Sequence, residues 1–272
     1  MSIQQLFFGT GAAAAKVVAT GGTVYTEGNY KVHVFTSTGT FAVSAINDPN
    51  ATLEVLVVGG GSIGSAGGDS LYDYDGRDGG SGGAGALSRT YSALTFGSYF
   101  NAANYTATVG GANTNDSQLN NKTASPFICT SGNVAKQGGA GGAGAQFDSQ
   151  QGLCISNSTA GGNGQGSYTT NWLSSNLGLI YYAGAGSGGG GGGSDGGCYA
   201  SPGGFLNNGE AAGGAGGNFE STGSSGGNAT QYGGGGGGGG GAGSNNESGV
   251  FISGGAPGNG NSGAIFIRYL FQ

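Results

Sequence analysis

Two strand-like patterns, one towards each end of the chain, frame a long glycine-rich region. Residues 53–58 form an apolar run rich in β-branched side chains, and this run passes directly into the glycines at 59–61. Apolar runs of this length and composition favour β-strands. Residues 264–271 make the reverse transition, from glycine back to an apolar run. The pattern predicts a β scaffold built from both ends of the chain, with glycine-rich excursions between them.

A hairpin is predicted before the first glycine run. Tyr30, Val32 and Val34 alternate with Lys31 and His33, which is the pattern of a strand with one buried face. A turn at residues 27–29 precedes this strand. We interpret His33 as an ordinary structural histidine. We further expect the last strand to pair in the same sheet as a strand from residues 30–58, which would place both chain ends together.

Glycine changes the architecture that such strands would otherwise suggest. The chain has 69 glycines in 272 residues, in runs without a fixed period, and its four prolines exclude collagen. An extended glycine helix has three residues per turn and no internal hydrogen bonds, so its backbone groups must pair with neighbouring helices. We therefore predict an all-β, β-sandwich-like scaffold with antiparallel polyglycine II-type helices, in which Gly238→Val would clash. The alternative is a flexible glycine-serine linker, which the interspersed Tyr, Phe, Leu and Ile residues disfavour.

Charge and motifs exclude several classes of function. The formal net charge is −6 and the chain has only seven lysines and arginines, too few for a nucleic-acid-binding surface. No apolar stretch approaches the roughly 20 residues of a membrane-spanning helix. No phosphate-binding glycine loop ending in Gly-Lys-Ser/Thr occurs. We expect neither an enzyme nor a bound cofactor.

The cysteines and one acidic segment are candidate sites with simple alternatives. Cys129, Cys154 and Cys198 fit no zinc-binding spacing, and we expect free thiols, with a Cys129–Cys154 bridge as the alternative. Asp73, Asp75 and Asp78 precede glycines at a spacing that suits calcium, but the segment lacks the terminal glutamate of a calcium loop. We interpret it as a solvated turn and predict no metal site.

Aromatic residues between the glycine runs are the candidate binding residues. Rigid rings with polar neighbours can bind sugars or a protein loop, and the alternative is that they cap the glycine bundle and form its missing core. The candidate receptor-binding residues are Tyr72, Tyr74, Tyr168, Trp172, Tyr199 and Phe205.

The N-terminal apolar segment suggests a docking peptide. We divide the chain into a docking segment at 1–21 and a glycine-rich β domain at 22–272. An extra edge strand of the same domain is the alternative for residues 1–8. The candidate docking residues are Ile3, Leu6, Phe7 and Phe8.

Four segments together resemble a known group of proteins. Residues 30–43, 53–61, 105–111 and 263–269 are similar to the glycine-rich domain of bacteriophage tail-fibre and other virion proteins. The resemblance spans about residues 22–272, but the inserts between the glycine runs follow no family pattern. Related fibre-tip adhesins with polyglycine helices bind host receptors through the loops that join those helices.

The resemblance implies a virion surface protein, assembled in the host cytoplasm as a homotrimer, that binds other virion proteins through its N-terminal segment. Its receptor would be a host surface glycan or an outer-membrane protein. One alternative is a capsid or tail decoration protein without receptor binding. Another is an extracellular filament protein, which the glycosylation sequons keep open. The sequons begin at Asn50, Asn104, Asn115, Asn121, Asn157, Asn228 and Asn246.

Overall fold

The computed structural model describes residues 14–71, 74–113, 116–129, 135–195, 197–205, 211–245 and 250–272. The strands are β1 Val17–Thr20, β2 Thr23–Glu27, β3 Tyr30–Phe35, β4 Gly39–Ile46, β5 Thr52–Val58, β6 Ser70–Leu71, β7 Ser88–Thr95, β8 Ala103–Thr108, β9 Gln118–Leu119, β10 Phe127–Ile128, β11 Gln146–Asp148, β12 Leu153–Ser156, β13 Tyr168–Thr170, β14 Ile180–Tyr182, β15 Phe251–Ile252 and β16 Ala264–Leu270. Within the described ranges, helix is limited to one turn, α1 Phe96–Tyr99. The all-β prediction is therefore confirmed.

Two five-stranded sheets pack face to face as a sandwich. Their strand orders are β1-β4-β8-β9-β10 and β2-β3-β16-β5-β7, and neighbouring strands are antiparallel. The hairpin prediction is confirmed, since β2 and β3 pair with Glu27 opposite Tyr30. Both sheets contribute buried side chains to the core between them, including Val17, Phe41, Val43, Leu53, Val55, Val57, Tyr105, Ile265, Ile267 and Tyr269.

Strand β16 pairs in the same sheet as β3 and β5, as predicted from the sequence, and it is the central strand of that sheet. It pairs with β3 on one side and β5 on the other, so that Ile267 lies opposite both His33 and Val55. The Lys16 N–H donates to the carbonyl oxygen of Phe271 at 2.8 Å. The first described residues and the C terminus therefore lie side by side, at the edge of the sandwich away from the glycine segments. Strand β1, within the segment assigned to docking, pairs with β4 in the sandwich.

The prediction that β3 is half-buried is wrong. Val32, His33, Val34 and Phe35 are all buried, because a second core covers the other face of the sheet. In this second core Val32, Val34, Leu56, Val58 and Phe266 pack against Trp172, Leu173, Tyr182 and Ala183. Burial on both faces also explains why the apolar pattern of β5 is nearly continuous.

The glycine-rich part forms a bundle of extended segments that hydrogen-bond to one another. The ten described segments are 61–68, 76–86, 138–145, 159–165, 184–194, 200–205, 211–217, 221–227, 234–244 and 253–261. Bonds between two segments recur at every third residue, which is the period of the polyglycine II helix. The N–H groups of Gly186, Gly189 and Gly192, for example, donate to carbonyl oxygens of residues 83, 80 and 77 at 2.8–3.0 Å.

Two of these segments form the interior of the bundle. Segment 184–194 donates to segments 76–86, 159–165 and 211–217 and accepts from segments 138–145, 200–205 and 234–244. Three of these six neighbours run parallel to it and three antiparallel. The predicted antiparallel arrangement holds for consecutive segments, such as 61–68 with 76–86 and 234–244 with 253–261. Parallel contacts between such pairs complete the hexagonal packing.

Candidate functional site at the tip of the glycine bundle

The loops that connect the members of each antiparallel pair all lie at one end of the bundle. We call this end the tip and define it by the described residues of loops 69–75, 146–158, 195–199, 218–220 and 245–252. The opposite end of the bundle continues into the sandwich, through Val58 to Gly59 and through Gly263 to Ala264. The tip is therefore the end of the molecule farthest from the first described residues and the C terminus.

Contacts between loops hold the tip together. Strands β6 and β15 pair with Leu71 opposite Phe251. The N–H of Phe147 donates to Oδ1 of Asp75 at 2.9 Å, and the rings of Tyr74 and Phe147 lie 6.2 Å apart. Since each contact joins loops far apart in sequence, the tip depends on the order in which the glycine segments pack.

Aspartates terminate the glycine segments by accepting hydrogen bonds from backbone N–H groups. Asp69 accepts from Gly254 at 2.8 Å and Asp78 from Gly144 at 2.8 Å. The possible calcium ligands Asp75 and Asp78 thus both bind backbone, and Asp73 lies outside the described residues. In the described part of the chain, no group of three acidic, histidine or cysteine side chains could hold a metal ion.

A disulfide joins two tip loops and corrects the expectation of free thiols. Cys154 in β12 is bonded to Cys198, with 5.4 Å between their Cα atoms. The alternative Cys129–Cys154 bridge is also wrong. Cys129 is a free, buried thiol in the sandwich core, where burial and the neighbouring carboxylate of Asp116 raise its pKa to about 12. A thiol with such a pKa is unreactive at neutral pH.

Large apolar side chains are exposed at the tip. Leu71 and Phe251 are each 60% exposed, and as directly opposed residues of β6 and β15 they lie side by side. Tyr199, beside the disulfide, is 72% exposed. Leu153 and Ile155 are exposed on one face of β12. Contiguous exposed apolar surface, such as the Leu71–Phe251 pair, is characteristic of interaction sites, which makes the tip the candidate functional site.

The six aromatic residues predicted to bind a receptor do not lie together. Tyr74 and Tyr199 are at the tip, whereas Tyr168 and Trp172 belong to the second core, and Trp172 is only 8% exposed. Their packing matches the capping role that was the alternative. Phe205 is exposed but ends a segment that runs from the tip towards the sandwich. Tyr72 and the docking residues Ile3, Leu6, Phe7 and Phe8 lie outside the described residues.

Four exposed apolar residues of the tip are not among the six aromatic residues predicted from the sequence. They are Leu71, Leu153, Ile155 and Phe251. A sequence signal for these residues was that they are large apolar residues in short polar inserts between glycine runs, where no strand partner was evident.

His33 lies in the sandwich, far from the tip in the fold. Its Nδ1 donates to the carbonyl oxygen of Gly21 at 2.8 Å, so Nε2 accepts from the hydroxyl of Tyr269 at 3.1 Å. Burial lowers the pKa of His33, and the charge of Lys31 lowers it further. The prediction that His33 is structural agrees with this geometry, since both ring nitrogens are bonded within the core.

Comparison with known proteins supports the glycine-rich architecture. Residues 36–270 match the sequence profile described as the Glycine-rich domain. No curated protein matches the chain. Among the described residues, no helix is long and apolar enough to cross a membrane. Because the match covers most of the sequence, from the turn after β3 to the end of β16, the chain belongs to the Glycine-rich domain family.

Proposed function

We propose that this protein is a bacteriophage virion surface protein, a tail-fibre or fibre-tip protein that recognises the host cell surface through the tip. The observation that carries the proposal is the position of the exposed Leu71, Tyr199 and Phe251. They lie at the opposite end of the molecule from the adjacent first described residues and C terminus. A protein anchored near its chain ends would present the tip outward.

The glycine bundle suits such a role because its stability comes from backbone hydrogen bonds and close packing. The tip side chains at Leu71, Tyr199 and Phe251 contribute little to these interactions, so they can change without unfolding the bundle. In this proposal the N-terminal segment, including Phe7 and Phe8, docks on other virion proteins. The protein is then assembled in the host cytoplasm and displayed on the virion surface.

The proposal is tested on assembled particles. Replacing Leu71, Tyr199 and Phe251 together by serine should leave particle yield and stability unchanged while lowering adsorption to host cells about tenfold or more, because truncating even one hot-spot side chain costs about 2 kcal/mol or more and every 1.4 kcal/mol is about tenfold in affinity. The matched control replaces Leu177 and Leu179, which are exposed near the sandwich end of the bundle, by serine. This control should adsorb normally.

Unchanged adsorption by the tip variant would contradict the proposal and favour a decoration protein. In a decoration protein the binding energy lies in the docking segment. Deleting residues 1–8 is the paired experiment, and it should release the protein from the particle for either function.

A further inference from the structure

Charge is distributed unevenly between the two ends of the molecule. The tip contains five described carboxylates, those of Asp69, Asp75, Asp148, Asp195 and Glu220. None of the five tip loop sequences contains a lysine or arginine. Six of the seven cations of the chain belong to the sandwich or to the connections beside it: Lys16, Lys31, Arg89, Lys122, Lys136 and Arg268. The seventh, Arg77, lies next to Asp78 at the start of a glycine segment.

The apolar surface and the carboxylates of the tip adjoin each other. Asp69 precedes strand β6 by one residue, and the exposed Leu71 ends that strand beside Phe251. The backbone N–H of Gly254 fixes one oxygen of Asp69. An ionised carboxylate has about four acceptor positions, so Asp69 keeps capacity for a donor from outside. Asp75 also belongs to the tip, where it accepts from the N–H of Phe147.

We infer that the tip binds a protein segment in which lysine or arginine side chains alternate with or flank apolar ones. The exposed Leu71–Phe251 pair provides the apolar contact, and Asp69 with the other described carboxylates of the tip selects a cationic partner by charge complementarity. The net negative charge of the tip disfavours an anionic surface polysaccharide. The inference rests on the proposed function and specifies the chemical class of the receptor.

Binding is measured with the purified full-length chain and three fluorescent peptides of equal length. The first alternates lysine with leucine, the second glutamate with leucine, and the third lysine with serine. Fluorescein-labelled dextran sulfate serves as the anionic polysaccharide, with and without calcium. We expect the lysine-leucine peptide to bind most tightly, with an affinity that falls as salt is raised.

Two tip variants separate the contribution of charge to peptide binding from that of apolar contact. The charge variant combines Asp69→Asn, Asp195→Asn and Glu220→Gln, which keep an acceptor oxygen at each position. It should weaken binding of the lysine-leucine peptide about tenfold. The apolar variant combines Leu71→Ser and Phe251→Ser and should weaken binding of the same peptide by a similar factor. The control variant, with Glu27→Gln, Asp48→Asn and Glu54→Gln, removes three charges at the sandwich end and should bind as the native chain does.

Equal losses in the tip-charge and control variants would overturn the inference, because net charge alone would then explain binding. Binding of dextran sulfate at the tip would also overturn it, whether or not calcium is required. The adsorption experiment on particles distinguishes a wrong receptor class from a wrong proposed function. If the serine variants of the tip lose adsorption while dextran sulfate binds the tip, the proposed function stands and only the receptor class is wrong. If they adsorb normally, the proposed function fails.

Discussion

His33 is a neutral residue in the middle of the sandwich, and it makes the stability of the protein depend on pH. It stacks on Tyr269, with ring centroids 5.6 Å apart, and meets Phe41 edge-on at 5.1 Å. Burial is the main cause of its lowered pKa. The unfolded chain therefore takes up a proton near pH 6.5, the usual histidine pKa, where the folded protein does not.

We predict that stability is full above about pH 6.5 and falls as the pH decreases from there towards the folded pKa, by at most about 1.4 kcal/mol per pH unit from this residue. His33→Gln keeps a donor and an acceptor but does not titrate, so its free energy of unfolding should fall less steeply. Urea unfolding at pH 7.5, 6.5 and 5.5 measures both slopes. Parallel slopes for the two proteins would refute the prediction.

Gly238 illustrates why the bundle requires glycine. A Cβ built on Gly238 would lie 2.0 Å from the carbonyl oxygen of Gly80, so the neighbouring backbone would have to move. Gly166 has no atom within 4 Å of the same position and no positive φ. The two residues therefore form a matched pair for substitution.

Gly238→Ala should lower the free energy of unfolding by about 3 kcal/mol or more, because overpacking against backbone cannot be relieved by a side-chain rotation. Gly166→Ala should be neutral or stabilising by about 0.4–1 kcal/mol, since it restricts the unfolded chain. Thermal unfolding of both variants measures the difference. Similar melting temperatures would contradict the close packing of the segments.

At the scale of elements, the disulfide joins two antiparallel pairs of glycine segments at the tip. Cys154 follows segment 138–145, Cys198 follows segment 184–194, and the two cysteines have a sequence separation of 44. Closing a loop of this length removes entropy from the unfolded chain, and the expected stabilisation is about 2–4 kcal/mol.

Replacing Cys154 and Cys198 together by serine should therefore lower the free energy of unfolding by about 2–4 kcal/mol. Cys129→Ala keeps the bridge and serves as the control. Thiol titration of the wild-type chain under denaturing, non-reducing conditions should find one free thiol, that of Cys129. Three titratable thiols would show that the bridge is absent.

Strand β16 connects the two cores of the protein. Ile267 and Tyr269 face the sandwich core, whereas Arg268 lies on the opposite face, 3.3 Å from a carboxylate oxygen of Glu54. The Arg268 guanidinium also lies over the Tyr30 ring at 4.1 Å. Side chains of the final Ile-Arg-Tyr sequence thus lie on both faces of one central strand.

Deleting residues 264–272 should prevent folding, because β3 and β5 would each lose a central partner and the two cores would lose shared residues. The circular dichroism spectrum of the truncated chain should show no β signal. A truncated chain that retains a cooperative thermal transition would show that the sandwich tolerates the loss of β16.

At the scale of the whole molecule, the sandwich and the bundle are stabilised by different groups. In the sandwich, apolar side chains such as Phe41 and Ile265 are removed from water. In the bundle, segments 184–194 and 234–244 are buried with almost no side chains, and hydrogen bonds to six neighbours satisfy their backbone groups. Exposed side chains of the connecting loops, such as Leu71 and Phe251, contribute little to this packing.

Trimerisation is the corresponding prediction for the assembled protein. It rests on the proposed function and follows by analogy with virion fibre proteins. We expect native mass measurement of the full chain to give three times 26.0 kDa. A monomer that still enters particles would exclude the trimer and favour a single copy at the end of another fibre.

The sequence by itself determined which segments form strands and which form extended glycine helices. The β-branched runs of β5 and β16 specified strands, and the glycine runs specified extended helices, because local sterics and the absence of side chains leave few other ordered conformations. Even the clash expected at Gly238 could be predicted from the sequence, since it depends only on close approach of neighbouring backbones.

The tertiary structure alone decided which segments are neighbours. One glycine run is chemically the same as another, so nothing in segments 184–194 and 234–244 indicates which six neighbours each will have. Those neighbours determine that Cys154 meets Cys198 and that Leu71 meets Phe251 at an exposed tip. Burial of Val32 and Val34 likewise depends on a second core from residues 168–183, and burial of His33 on the opposite face depends on Phe41 and Tyr269. The local alternation of β3 carries no information about either cover.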